Sequence, residues 1–253
     1  MNIPIDASWI EAVMLASVRL AAFILVAPPF SYRAIPGTVK ALLAVGLGLA
    51  VSPVVTQGYT QLDFAPFLLA IVMQLLIGFA LGFLVMIVFA AVQSAGSLLD
   101  LFGGFQLAQG YDPQLSISGA QLTRLFQMSA LALMFSSGAY QLLLGGLARS
   151  FTAIPLGSGL NVSATVHAMI TATTNMFVSS LQIAGPLIVV LFLADLGLGL
   201  LTRIAPALNA FSMGYPVKIL ITLTLGGILF VALPGIVTAL TGDAVDALVA
   251  GRG

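Results

Sequence analysis

Cysteine is absent from the 253-residue chain, so disulfides, thiolate metal ligands and a cysteine nucleophile are all excluded. Histidine occurs once, at His167, and one imidazole cannot build a zinc site. Charge is nearly as scarce. Eight basic and eight acidic side chains make up only 6% of the residues and cancel at neutral pH. The basic residues form no cluster, so the electrostatic footprint of nucleic-acid binding is missing and no nucleic-acid partner is expected. What remains is apolar: 60% of the residues are hydrophobic, far outside the range of a soluble domain, which places the chain in a lipid bilayer.

Apolar stretches run over residues 9–27, 38–55, 65–93, 120–148, 164–201 and 217–240. Each approaches or exceeds the ~20 residues that span a bilayer, so the expected fold is an all-α integral membrane protein of about six long helices, some kinked, paired as helical hairpins. Pro28-Pro29, Pro36-Gly37, Pro53, Gly58 and the run from Pro155 to Gly159 separate the stretches, with no soluble domain appended. Residues 1–253 are read as one helical membrane domain. Gly185-Pro186, inside the fifth stretch, predicts a kink or two half-helices. The first stretch is preceded by Asp6 and by no Lys or Arg, unlike a secretory signal, and is expected to be retained. Arg33 and Lys40, with Arg203 and Lys218, put the first and fifth connections in the cytoplasm and both termini outside. The third connection should then also be cytoplasmic, yet it contains Asp100 and Asp112 and no basic residue.

That connection, residues 94–119, is a Gly-rich loop with hydrophobic teeth. Gly103, Gly104 and Gly110 permit conformations closed to other residues, and Asp112-Pro113 marks a turn. Leu101, Phe102, Phe105, Leu107 and Tyr111 would be costly in water, which favours a segment packed in protein or lining a cavity: a buried connector, or a mobile constriction that bars ions by dewetting. In GFALG, Gly78 and Gly82 have the spacing that lets helices meet backbone to backbone, either between subunits or within the chain. Arg19, Arg124, Asp195 and Arg203 sit in or at the ends of apolar stretches and need a partner or water. For Arg19 the simplest reading is snorkelling or an internal pair. Asp195 and Arg203, about 12 Å apart on a helix, are too distant to pair directly, so contact with another helix or subunit is expected.

Catalysis finds little support. Asp112 and Asp195 invite comparison with the paired carboxylates of an intramembrane aspartyl protease, but LADLGLG lacks the glycine two positions before the second aspartate. No nucleophile elbow is present and His167 has no obvious partner.

Three blocks of residues resemble the FliR family, the membrane export-gate subunits of flagellar and related type III secretion systems. Ile35-Pro36 with Lys40 is similar to its IPxxxK element. Asp100, Gly104-Phe105, Ala108 and Asp112-Pro113 resemble its DxxxGFxxA…DP element, continued by Gly138, Ser150, Phe151, Ile154 and Pro155. Asp195, Leu198-Gly199, Arg203, Pro206, Asn209, Phe211, Gly214, Pro216 and Lys218 resemble a C-terminal element with many fixed spacings. The chain departs from the family at Ala207, where Gln is common, and at Ala139, where His is common.

The resemblance implies a structural, non-enzymatic channel subunit without cofactor or metal, in the bacterial inner membrane at the base of a flagellum or related secretion system. Its implied partners are FliP- and FliQ-like membrane subunits, further export-apparatus proteins and unfolded substrates in transit. The segment around Gly103 to Pro113 corresponds to a loop that plugs the closed pore, with Phe102, Phe105, Leu107 and Tyr111 sealing, Gly103, Gly104 and Gly110 hinging, and Asp100 and Asp112-Pro113 anchoring its ends. Asp195, Arg203, Asn209 and Lys218 are expected to make polar contacts in the assembly. The competing class is a small ion- or proton-coupled secondary transporter using Asp100, Asp112 and Asp195.

Overall fold

The computed structural model describes residues 6–105, 121–159, 161–204 and 214–227, together with Leu229 and Gly235. Every regular element among the described residues is helical. In chain order these are α1 (Ala7–Val26), α2 (Gly37–Val55), α3 (Phe64–Phe102), α4 (Gln121–Ser136), α5 (Ala139–Ala153) and α6 (Val162–Ile204), followed by α7 over residues 214–227. Four of them, α1, α2, α3 and α6, are individually long and apolar enough to cross a membrane, and the number is five if the bent pair α4 and α5 is counted as one span. The 39 residues of α3 and the 43 of α6 reach about 58 and 64 Å, roughly twice the hydrocarbon thickness.

Local sequence explains most helix ends. Asp6 caps α1, its Oδ1 accepting from Trp9 N at 2.8 Å and from Ser8 Oγ at 2.8 Å. Exposed and charged, the Asp6 carboxyl is held below its usual range mainly by the Trp9 N–H. Pro28 and Pro29 follow the end of α1, and Pro36 precedes the first turn of α2.

Three expectations need correction. The loop read from residue 94 begins later, because α3 continues through Phe102: Ser94 to Phe102 contains no proline, and its small residues allow close packing without breaking the helix. At Gly185-Pro186, where a kink or two half-helices are expected, the fifth apolar stretch is not split into half-helices. α6 runs through Pro186 as one helix, because a proline removes a single backbone donor and the turns on either side keep theirs. The fourth stretch, read as continuous, breaks instead at Ser137-Gly138. Gly138 adopts φ 74°, a left-handed conformation open to glycine, and Ser137 N closes the end of α4 on Leu133 O at 2.9 Å.

The residues group into two compact units. The first contains α1, α2, the N-terminal part of α3, α5 and the start of α6. Its core is built on one stripe of α1, in which Ala12, Leu15, Ala16, Leu20, Phe23 and Ile24 are buried. α2 packs on α1 through Ala44, Gly48, Ser52 and Val55, with Gly48 lying against Ser17. A Cβ at Gly78 would collide with Arg19 O and Ala22 Cβ, and one at Gly82 would stand 3.0 Å from Phe23 O. The GxxxG spacing thus serves close contact between α3 and α1 of the same chain.

The second unit contains the rest of α3, α4, the rest of α6 and α7. Leu122, Phe126, Ala130 and Met134 recur every four residues on α4 and are all buried. A Cβ at Gly96 of α3 would stand 2.9 Å from Thr123 Cα, so this glycine sets how near α4 can come.

Candidate functional site

α3 ends where the candidate loop begins. Gly103 N donates to Leu99 O at 2.8 Å, and Gly104 follows with φ 80°, which turns the chain out of the helix. Both glycines are crowded: a Cβ at Gly103 would lie 2.7 Å from Leu99 O and 3.0 Å from Thr222 Oγ1, and one at Gly104 would lie 3.0 Å from the Tyr215 ring. The root of the loop is therefore seated on α7, and only glycine fits there. Phe102 and Phe105 flank this turn and are half-buried, while Leu101 is exposed. Leu107, Gly110, Tyr111, Asp112 and Pro113 lie outside the described residues.

Asp100 sits one turn before the loop and is fully buried. Its Oδ1 accepts from Leu122 N at 2.9 Å, and its Oδ2 accepts from Thr123 N and Thr123 Oγ1, both at 2.7 Å. The first backbone N–H groups of a helix have no partner within it, and here a carboxylate from another helix satisfies two of them while meeting the positive end of the α4 dipole. Asp100 thereby closes the chain on itself across 22 residues. Asp112, expected to anchor the other end, cannot be placed beside it, because it is outside the described residues.

The C-terminal polar residues resolve into separate roles. Lys218 Nζ lies 2.6 Å from Asp195 Oδ1, joining α7 to α6. Arg203 is exposed in the last turn of α6 and is not joined to Asp195. Asn209 lies outside the described residues.

Sequence reading missed the densest polar centre. Arg19 is fully buried, its Nε donating to Gln74 Oε1 at 2.6 Å, one terminal nitrogen to Ser150 O at 3.0 Å and Ser150 Oγ at 3.3 Å, and the other to Ile154 O at 2.7 Å. The guanidinium carbon also stands 4.3 Å from the centroid of the Phe151 ring. Ser150 lies in the last turn of α5 and Ile154 is its C-cap residue, so the guanidinium meets carbonyls at the negative end of the helix dipole, adding to the bond that Ser150 O accepts from Ile154 N at 2.9 Å. No carboxylate is needed, and α1, α3 and α5 are tied at one point. The available signal was Gln74, an amide set in an otherwise apolar run from Phe64 to Val92 of α3.

A second tie pins the loop after α2. Tyr59 Oη donates to Glu11 Oε1 at 2.6 Å, and Leu62 N donates to the same oxygen at 3.1 Å. Partial burial, then the hydrogen bond and the charge of Glu11, push the Tyr59 phenol well above its usual range.

Among the described residues no three His, Asp or Glu side chains gather as metal ligands. An apolar cavity of about 110 Å³ between Leu99, Leu122, Phe126, Leu187 and Thr222 is far below the ~300 Å³ at which ligand sites begin.

Comparison with known proteins gives the following. The family "Bacterial export proteins, family 1" matches residues 10–244. The chain is 34% identical over 226 residues to the flagellar biosynthetic protein FliR of Escherichia coli K12, covering 89% of this chain and 85% of that one. It is 32% identical to the flagellar biosynthetic protein FliR of Bacillus subtilis, with 88% and 86% covered. It is 33% identical over 185 residues to the Yop proteins translocation protein T of Yersinia pestis, with 70% and 69% covered.

Proposed function

The chain belongs to family 1 of the bacterial export proteins, and on that premise we propose that it is a channel subunit of the flagellar type III protein-export gate. Membership makes it a membrane component of an export apparatus and not an enzyme. In the proposed role it forms, with FliP- and FliQ-like partners in the bacterial inner membrane, the conduit through which unfolded proteins leave the cytoplasm. The loop near residues 102–113 closes that conduit at rest. A flagellar system is favoured by coverage, since the FliR proteins of Escherichia coli and Bacillus subtilis match over 85% and 86% of their length and the Yop protein over 69%.

The observation that carries the gating role is the construction of the loop's roots. A glycine pair turns the chain out of α3, and the buried carboxylate of Asp100 fixes the start of α4 close to where the loop leaves. Such roots hold the two ends in place while the segment between them moves. Phe102, Phe105, Leu107 and Tyr111 supply the seal and Gly103, Gly104 and Gly110 the hinges, with Asp112-Pro113 at the far turn.

The transporter chemistry that competes with this function needs carboxylates free to bind ions. Both oxygens of Asp100 are occupied by donors and one oxygen of Asp195 holds Lys218, so neither of these carboxylates is wholly free. Deleting residues 104–110 tests the gate: cells expressing the assembled variant should leak ions or small solutes. Normal assembly with unchanged permeability would remove the plugging role.

A further inference from the structure

One buried glycine of the second unit has empty space in front of it. Gly226 of α7 is buried, yet no heavy atom lies within 4 Å of where its Cβ would stand. The buried Gly78, Gly82, Gly96 and Gly103 are different, since a Cβ at each would meet a neighbour at 3.0 Å or less. The space at Gly226 is the apolar cavity of about 110 Å³, lined also by Leu99 of α3, Leu122 and Phe126 of α4, Leu187 of α6 and Thr222 of α7. Thr222 is the one polar side chain in that lining, and its Oγ1 already donates to Lys218 O at 2.8 Å, so the space offers water little to hold it. Protein interiors are close-packed, and an apolar void of this size costs stability.

The walls of the cavity differ in stiffness. Leu99 and Leu122 belong to a corner stapled by Asp100, which holds the first N–H groups of α4. The other two walls are softer. Leu187 follows Pro186, where α6 lacks one backbone hydrogen bond, and α7 has glycine at both 226 and 227. Nearer its start α7 is tethered, by Lys218 on Asp195 and by the Tyr215 ring against Gly104. Thr222 stands between these tethers and the void. Its Oγ1 would be 3.0 Å from a Cβ at Gly103, so it covers the root of the loop. Any shift of the Gly226 end of α7 into the void therefore alters the contact of Thr222 with Gly103.

We propose that the cavity is working room: α7 repacks into it, and the shift frees the loop's root at Gly103-Gly104. One packing keeps the void and the cover of Thr222 over Gly103. The other fills the void and gives up that cover. Packed interiors change between discrete arrangements of this kind rather than deforming continuously. The proposal rests on the gate described above, and adds to it the helix that moves and the space that receives it.

The test fills the space, with Gly226→Leu and the smaller Gly226→Ala carried in the cell's own copy of the gene. Gly226→Leu should raise the unfolding temperature of the purified chain by about 2 °C or more, because it buries a side chain where none stood. The membrane complex should be recovered at wild-type yield. Protein export into the medium should fall by about tenfold or more, the factor by which burial of a leucine biases a two-state equilibrium toward the packing that holds it. Gly226→Ala should fall between Gly226→Leu and wild type. Adding Leu187→Ala to Gly226→Leu returns the room and should restore most of the export, which mere stiffening of α7 would not allow. Wild-type export from Gly226→Leu, a complex lost in step with export, or a double variant that exports no better than Gly226→Leu overturns the working room. A lower unfolding temperature in both Gly226 variants does so too, since it would mean that the space is not open. The gate itself is judged separately, by the deletion of residues 104–110, which leaves Gly226 in place.

Discussion

Replacing Arg19 by methionine keeps most of the side-chain length and removes every donor. In the folded chain that leaves Gln74 Oε1, Ser150 O and Ile154 O without the hydrogen bonds they receive from Arg19 at 2.6 to 3.0 Å, the first two buried and the third part-buried. Hydrogen bonds from a charged donor contribute ~1.5–3 kcal/mol each, and deleting one side of a buried polar network costs ~3–5 kcal/mol in total, because the bonds are not additive. For a chain of this size roughly 2–4 °C of unfolding temperature accompanies each kcal/mol, so Arg19→Met should lower the midpoint by about 6–20 °C. Arg19→Lys keeps the charge but not the planar fork that reaches Gln74 and α5 together, and it should recover only part of the loss. The assay is thermal unfolding in detergent by circular dichroism, with amide exchange read at the end of α5. A midpoint within about 2 °C of wild type for Arg19→Met would refute the clamp, since it would mean that the surroundings supply other partners at no cost.

Gly78→Leu should block the approach of α3 to α1 and cost at least ~1–3 kcal/mol, seen as a lower unfolding temperature; a wild-type midpoint would show that the contact with Arg19 O and Ala22 is not needed. Asp100→Ala leaves two buried or part-buried N–H groups unpaired and should cost ~1–3 kcal/mol, with faster amide exchange at Leu122 and Thr123; unchanged exchange there would contradict the cap. Tyr59 gives a pH dependence whose sign is fixed. Its proton is held more tightly in the folded chain, so the contribution is complete below the ordinary phenol pKa of about 10 and declines as pH rises beyond it. A tyrosine titration should therefore lose a late-ionising group in Tyr59→Phe, and an identical curve in that variant would refute the tie to Glu11.

Class and membrane location were legible because they depend on sums. An apolar content of 60% and runs longer than a bilayer leave few alternatives to a helical membrane protein, whatever the packing. Glycine spacing was legible as close packing, but the partner was not. GxxxG states that a backbone can be approached, and only the structure supplies α1 as the helix that approaches it. Helix ends were harder. Pro186 does not split its helix in two, whereas Gly138 ends one, because a single missing donor is tolerated inside a long helix while a left-handed residue redirects the chain.

The polar residues show the same division. From sequence, Arg19 and Asp195 were each a charge that needed an answer, since an isolated charge in apolar surroundings is costly, and Asp100 was an anchor without a known mooring. Which answer each receives is a matter of contacts between positions 23 to 135 residues apart: the end of α5 for Arg19, the start of α4 for Asp100, Lys218 of α7 for Asp195. Sequence alone determined that this is an all-helical membrane chain with few charges, each in need of a partner. The tertiary structure decided the partners, because hydrogen bonds are short and directional and no spacing along the chain reveals which distant atoms folding brings within 3 Å.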